Sequence, residues 1–328
     1  MFDAVIAGGG PAGMAAALTL GRARRRVLLV DSGQGRNAPA AAVHNLFTRD
    51  GTPPAELRAI GRAELARYPA VEIREGVEIA FADAESGGFA LAWDGGGARA
   101  RRLLLATGLR DVLPPTPGLA ALWGRSAFHC PYCHGYETVG ASIAVVGSTM
   151  PRLRLAVQLR RFGERVTLCT DGASLDPAQR ELLAANEVAV ECGANARMDG
   201  RGGRLEAVAF ADGSALEASA VFVENTAVQR SELPDLLGCK RFEDGCVEVD
   251  EFGRTTVPGV SAAGDMARRA SVPMPFAAVT AAAASGTIAA AAIDQSLLSE
   301  ALGQPEPFAA APAARIRADR TRLIEEPQ

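Results

Sequence analysis

Hydrophobic and polar positions along the chain switch period several times, and the switches predict its elements. Residues 2–7 alternate little and read as a strand buried on both faces, followed by a helical run from Met14 to Leu20. Val27–Val30 forms a second apolar run that ends on Asp31. Residues 32–53 are polar and read as a loop. Residues 54–68 carry Leu57, Ile60 and Leu65 on one side and arginines on the other, which predicts an amphipathic helix. Residues 71–105 turn to period two, with Val71 and Ile73, then Val77, Ile79 and Phe81, then Phe89, Leu91 and Trp93. Gly87-Gly88 and Gly95-Gly96-Gly97 mark the turns between them.

Leu103–Gly108 closes this part as a buried strand, and Pro114, Pro115, Pro117 and Gly118 mark a boundary. A second strand–helix–strand pattern follows: Ile143–Gly147, a helix over Arg152–Phe162, and Val166–Leu168. A short strand near Val260 leads into an alanine-rich helix near 276–293, and residues 303–328 read as a tail or an extra docking helix.

Bulk properties narrow the class. A length of 328 residues suggests about two domains, and 48% hydrophobic content supplies full cores. A net charge of −4 excludes a nucleic-acid surface as an expectation. Phe276–Ile293 is uncharged, but its alanine, serine, threonine and glycine insert poorly into lipid, so a buried helix is expected and no membrane span. Met1-Phe2-Asp3 carries no basic n-region, and six cysteines without a framework spacing fit a reducing cytosol. A cytoplasmic protein is the expectation.

Two motifs carry chemistry. Gly8, Gly10 and Gly13 fill a Gly-x-Gly-x-x-Gly spacing directly between a strand and a helix. The first glycine permits the turn, the second lets backbone approach a pyrophosphate, and the third lets helix and strand pack closely. Asp31, at the end of the second strand, stands where a ribose hydroxyl would be met. Dinucleotide binding is the expectation. The other motif is His129-Cys130-Pro131-Tyr132-Cys133-His134, which holds two of the chain's three histidines. A Cys-x-x-Cys pair is a redox dithiol, half of a zinc site, or a pair of inert thiols. Zinc usually takes four ligands, and the remaining cysteines form no second pair, so the redox dithiol is favoured and no metal is expected. A neighbouring imidazole can hold a proton near neutral pH and favour the thiolate.

The second strand–helix turn, Gly147-Ser148-Thr149-Met150-Pro151-Arg152, is a poor nucleotide loop. Thr149 stands at the second glycine position, and no arginine follows Val166–Leu168 to meet a 2′-phosphate. A Rossmann-like fold without a competent nicotinamide site is the expectation.

With these pieces in this order, the chain resembles the low-molecular-weight thioredoxin reductases over nearly its whole length. The Gly8–Gly13 loop, Asp31, Ala106-Thr107-Gly108, the dithiol and Ala263-Gly264-Asp265 carry the likeness. The resemblance implies an α/β fold of two Rossmann-like, three-layer ββα domains. It implies an FAD domain from 1–113 and 247–328, with 114–246 inserted and bearing the dithiol. It also implies a homodimer. For FAD it points to Gly8, Gly10, Pro11, Ala12, Gly13, Asp31, Gln34, Arg36, Asn45, Val77, Gly108, Gly264 and Asp265. It makes Cys130 the cysteine that exchanges with substrate and Cys133 the one nearest the flavin.

Two departures shift the expected activity. His134 replaces the usual aspartate, and the NADPH loop is broken. Both, with Cys-Pro-Tyr-Cys-His-Gly-Tyr-Glu, look like the dithiol oxidases that close disulfides in natural products such as holomycin and gliotoxin. The expected reaction is oxidation of a small dithiol through Cys130–Cys133 and FAD to O2, giving hydrogen peroxide, with His134 as base and His129 as helper. The rival readings are an NADPH-dependent thioredoxin reductase, a reductase fed by ferredoxin or another carrier protein, and a non-catalytic FAD-bound protein.

Overall fold

The structure is a computed structural model and describes residues 1–307, so most of the expected 303–328 tail lies outside the described residues. The chain divides into two compact units, 1–33 with 61–108 and 229–328, and 34–60 with 109–228.

The first unit is built on a seven-stranded sheet. Val71–Glu75, Val27–Asp31, Phe2–Ala7 and Gly96–Leu105 lie side by side in parallel. Besides Phe2–Ala7, the ten-residue strand Gly96–Leu105 serves two further neighbours. Its first half pairs antiparallel with Gly88–Trp93, and its last three residues pair parallel with Val260–Ala262. The central positions Ala4, Val5 and Ile6 are fully buried, as a strand covered on both faces requires. The helix Pro11–Arg22 and the long helix Val279–Leu302 press together over this sheet. A Cβ at Gly286 would collide with the carbonyl of Ala12, so the two backbones approach as closely as glycine allows. Ala289, Ala290, Ile293 and Leu297 of the long helix join Ile6, Leu20 and Leu29 in one core. The alanine-rich stretch is therefore a packed interior helix, and no described helix is long and apolar enough to cross a membrane.

The second unit has a five-stranded parallel sheet in the order Ala189–Glu191, Arg165–Cys169, Ser142–Val146, Ala220–Phe222, Ala127–Phe128. Helix Met150–Leu159 covers one face through Leu153, Ala156 and Leu159. A three-stranded antiparallel sheet, Asn195–Arg201, Arg204–Phe210 and Ala215–Glu217, packs on the other through Met198, Leu205 and Val208. Gly202 and Gly203 both hold positive φ in the tight turn of its hairpin. Each unit is thus an α/β Rossmann-like body.

Three expectations change. The joins stand at 108/109 and 228/229 rather than 113/114 and 246/247, and 34–60 goes with the second unit. Gln229 explains part of this: its Nε2 donates to the carbonyls of Gly245 and Met266 and ties 229–246 to the first unit. Helix Met150–Leu159 begins before Arg152, because Pro151 is tolerated in a first turn. The period-two pattern breaks before Phe81–Glu85. Phe81 is exposed and Ala82 is buried, because 76–80 is irregular and the strand starts in a new phase.

Candidate active site

The glycine loop of the first unit is shaped to hold a dinucleotide. Gly8 sits at φ 108, a left-handed conformation that a side chain resists, and a Cβ there would run into the carbonyl of Ala106. A Cβ at Gly13 would strike the carbonyl of Gly8. Gly10 differs: nothing lies within 4 Å of its Cβ position, so backbone faces open space there. Helix Pro11–Arg22 starts at Gly10 without a side-chain cap, which leaves its first-turn N–H groups for an anion. Asp31 is buried beneath the loop, and its Oδ1 accepts the N–H groups of Gly9 and Gly33, both at 3.2 Å. Gly264 packs its positive-φ backbone against Ala12 and donates its N–H to Ser285 Oγ at 2.9 Å. These residues fit the pyrophosphate and ribose of FAD. Val77 lies in the irregular 76–80 segment, and Gly108 holds φ 69 at the end of the unit. Gln34, Arg36 and Asn45 fall in the other unit.

The dithiol unit holds Cys130 and Cys133 joined in a disulfide, with Cα atoms 5.3 Å apart. Cys130 caps the one-turn helix Pro131–His134, and its Sγ accepts the N–H of Cys133 at 3.1 Å. Pro131 follows the cap, where its fixed φ suits a helix start. The N–H aimed at Cys130 sulfur favours negative charge on that atom. Both flanking histidines are stacked. His129 lies on Trp123, centroids 5.5 Å apart, and His134 on Phe128, centroids 4.5 Å apart. Burial, then the charge of His129 and of His44, pushes the His134 imidazole down to about 4. Burial, with Arg36 adding to it, also lowers His129. The expectation of an imidazole poised near neutrality is corrected here: the aromatic stack strips water from the ring, so it stays neutral. His134 Nε2 is buried with no hydrogen-bond partner among the described residues.

Three side chains near the dithiol have partners that the sequence did not show. Arg36 donates Nε and a terminal NH2 to Asp111 Oδ1, at 3.0 and 2.7 Å, and Asn225 donates to the same oxygen at 2.6 Å. His44, the third histidine, lies between Asp50 and Glu137.

Arg152 is the third, and it sits where a nicotinamide dinucleotide would. In the order of the five-stranded sheet, Ser142–Val146 and Ala220–Phe222 are the neighbours at which connections reverse direction. Ligands of open α/β sheets bind at the carboxyl ends of such a strand pair. Arg152 Nε donates to the carbonyl of Val146 at 2.8 Å, and a terminal nitrogen donates to the carbonyl of Phe222. Its aliphatic stem packs against Gly147, where a Cβ would stand 2.9 Å from Arg152 Cγ. The side chain is 6% exposed. The crevice is filled by the chain itself, and a nicotinamide pyrophosphate does not fit these residues.

Comparison with known proteins follows this geometry. Residues 2–286 match the family described as pyridine nucleotide-disulphide oxidoreductase. The sequence is 37% identical to the thioredoxin reductase tcpT of Claviceps purpurea, over 81% of this chain and 86% of that one. It is 33% identical to the thioredoxin reductase aclD of Aspergillus oryzae, over 81% and 88%. The crystal structure of HlmI superimposes with a TM-score of 0.83 at 37% identity, covering 98% of this chain and 97% of that chain.

Proposed function

This chain belongs to the pyridine nucleotide-disulphide oxidoreductase family as a thioredoxin-reductase-like, FAD-dependent oxidoreductase, and we propose that it oxidises a small dithiol to a cyclic disulfide. Dioxygen is the final electron acceptor in this reading and hydrogen peroxide the second product. The observation that supports it is Arg152, whose guanidinium occupies the strand ends where a nicotinamide dinucleotide would lie and so favours electron entry from the thiol side over entry from a nicotinamide.

The chain's residues account for the thiol steps. In this reading a substrate thiol gives its proton to neutral His134, whose buried Nε2 has no hydrogen-bond partner among the described residues. The thiolate forms a bond to Cys130 Sγ and breaks the Cys130–Cys133 bond, and Cys133 leaves as thiolate. The second substrate thiolate attacks the substrate's own first sulfur, closes the ring and expels Cys130. A better leaving thiolate departs faster, and the Cys133 N–H at 3.1 Å from Cys130 Sγ stabilises that departure. With the disulfide closed, an imidazole near 4 is a weak base. Negative charge growing on the neighbouring sulfurs raises its affinity for a proton during the attack itself. Bound FAD supplies the two-electron acceptor that restores the disulfide and delivers the pair to O2. Gly8, Gly10, Gly13, Asp31, Gly264 and Asp265 are the residues proposed to hold it.

Anaerobic mixing with dithiothreitol tests the reading. The flavin absorbance is expected to bleach with one equivalent, and air to restore it with one hydrogen peroxide per dithiol. Flavin that dithiols leave untouched, or that O2 fails to reoxidise while a reduced carrier protein or nucleotide exchanges with it, overturns the proposal.

A further inference from the structure

The dithiol unit leaves large aromatic side chains in water around its reacting sulfurs. Phe47 is 89% exposed, Tyr132 73% and Tyr136 79%. A single exposed ring is ordinary, whereas several beside a reactive group mark a binding surface.

Local structure groups the three rings. Tyr132 stands between the two cysteines. Gly135 keeps helical angles (φ −66°, ψ −39°), so the turn Pro131–His134 continues into the 3₁₀ turn Tyr136–Thr138. Tyr132 and Tyr136 are four residues apart on that path and lie on one side of it. Phe47 comes from a loop closed on itself. Val43 donates its N–H to the carbonyl of Thr52 at 2.8 Å, and its carbonyl accepts the N–H of Gly51 at 2.9 Å. Within the loop, Arg49 donates its N–H to the carbonyl of Leu46 at 3.0 Å, and Asp50 Oδ1 accepts the N–H of Asn45 at 2.7 Å. Asn45 and Thr48, which flank Phe47 in the chain, hold positive φ of 58 and 72, a region that side chains resist. His44 Nε2 lies 3.3 Å from Glu137 Oε1, which fastens the loop to the dithiol turn. The loop is built to hold an aromatic ring out, not to bury it.

Size and charge select the occupant. At these exposures the three side chains offer roughly 400–600 Å² of surface. A protein partner takes about 800 Å² from each side, so the group falls short of a protein-docking face and matches one small molecule. Residues 129–140 contain no lysine or arginine, and burial holds both histidines below their ordinary value. Nothing in that stretch would pair with an anionic substrate, and its one carboxylate, Glu137, faces His44. We propose that Phe47, Tyr132 and Tyr136 form the substrate-recognition surface of the dithiol site, and that the two substrate thiols are carried on a flat, uncharged aromatic or conjugated ring. Flat rings stack on aromatic faces, and removing both from water favours the contact. The inference rests on the dithiol-oxidation reading and names its substrate class.

The test uses FAD-loaded enzyme and anaerobic stopped-flow flavin reduction by 1,2-benzenedimethanethiol, butane-1,4-dithiol and dithiothreitol. All three close disulfide rings of the same size and differ in the body that carries the thiols. At limiting dithiol, the aromatic probe is expected to reduce wild type about tenfold faster than either of the others, the scale of two aromatic contacts. Phe47→Ala, Tyr132→Ala and Tyr136→Ala are each expected to cut that preference about threefold, and Tyr132→Phe to keep it. Taking the ratio of rates within each variant cancels any change in the dithiol itself. Wild type that reacts alike with all three probes overturns the proposal, and so do alanine variants that keep the full preference. A reduced thioredoxin-type protein that outruns the aromatic probe, and loses that advantage in the variants, also overturns it, since the rings then dock a protein. If no dithiol reduces the wild-type flavin, the underlying reading fails and the proposal falls with it, whereas equal reduction by all three sinks the proposal alone.

Discussion

Replacing Arg152 by alanine separates the contributions that hold the second unit's crevice shut. Burial pushes the guanidinium down from 12.5 to about 10, so holding charge there costs about 3 kcal/mol, and the substitution relieves that cost. Against this, the buried carbonyls of Val146 and Phe222 lose their donors, at about 1–3 kcal/mol each. The lost methylenes of the stem take away about 2 kcal/mol more. The balance is a loss of about 3 kcal/mol. For a unit of about 150 residues this lowers the melting temperature by about 6–12 °C. Arg152→Met keeps most of the stem and is expected to recover about 2 kcal/mol of the loss. Urea titration followed by tryptophan fluorescence reads both, since Trp123 lies in this unit. An alanine variant within about 0.5 kcal/mol of wild type would refute the reasoning, because the guanidinium would then not be bonded to both strand ends.

Further outcomes are expected. NADPH and NADH leave the flavin oxidised under anaerobic conditions; rapid bleaching by either would show that a nucleotide reaches the enzyme despite Arg152. Cys130→Ser and Cys133→Ser both abolish dithiol oxidation. With 5,5′-dithiobis(2-nitrobenzoate), mass spectrometry finds the adduct on Cys130 in Cys133→Ser, and faster labelling of Cys133 in Cys130→Ser would reverse the two roles. His134, held near 4 against an ordinary 6.5, stays neutral from pH 5 to 8, so the rate shows no histidine inflection near 6.5. The unfolded chain takes up a proton at His134 below 6.5 that the folded chain refuses until about 4. Stability therefore falls across that window, and His134→Phe flattens the fall. Light scattering at micromolar concentration is expected to give a dimer, and a monomer removes that expectation.

What could be read from the sequence depended on range. The glycine loop is local: a strand, three glycines and a helix start sit within thirteen residues, and Asp31 closes the same strand–helix–strand unit. The dithiol is more local still. His44 was invisible because its partner Glu137 is distant in sequence and only folding brings 34–60 to the dithiol unit. Its one signal was being the third histidine of three. Arg152 was hidden by a misplacement of two residues in the helix start. The helix was expected to begin at Arg152 itself, whereas it starts at Met150 and the Arg152 side chain turns inward to the strand carbonyls. The chemistry of His134 was misjudged for the same reason, since the Phe128 stack that removes its water lies outside the motif.

The two Rossmann-like bodies of this chain also differ in how open they are to a ligand. One keeps an open approach at Gly10, and the other is filled by its own Arg152. Building a nicotinamide site in the second body would take more than one change: Thr149 has to become small, and Arg152 has to go. Loss of Arg152 alone unsatisfies two strand ends before any ligand can satisfy them, so the first change is a step down in stability. The filled crevice works as a ratchet. On the proposed reading, turnover follows the local supply of dithiol and oxygen rather than the cell's nicotinamide balance.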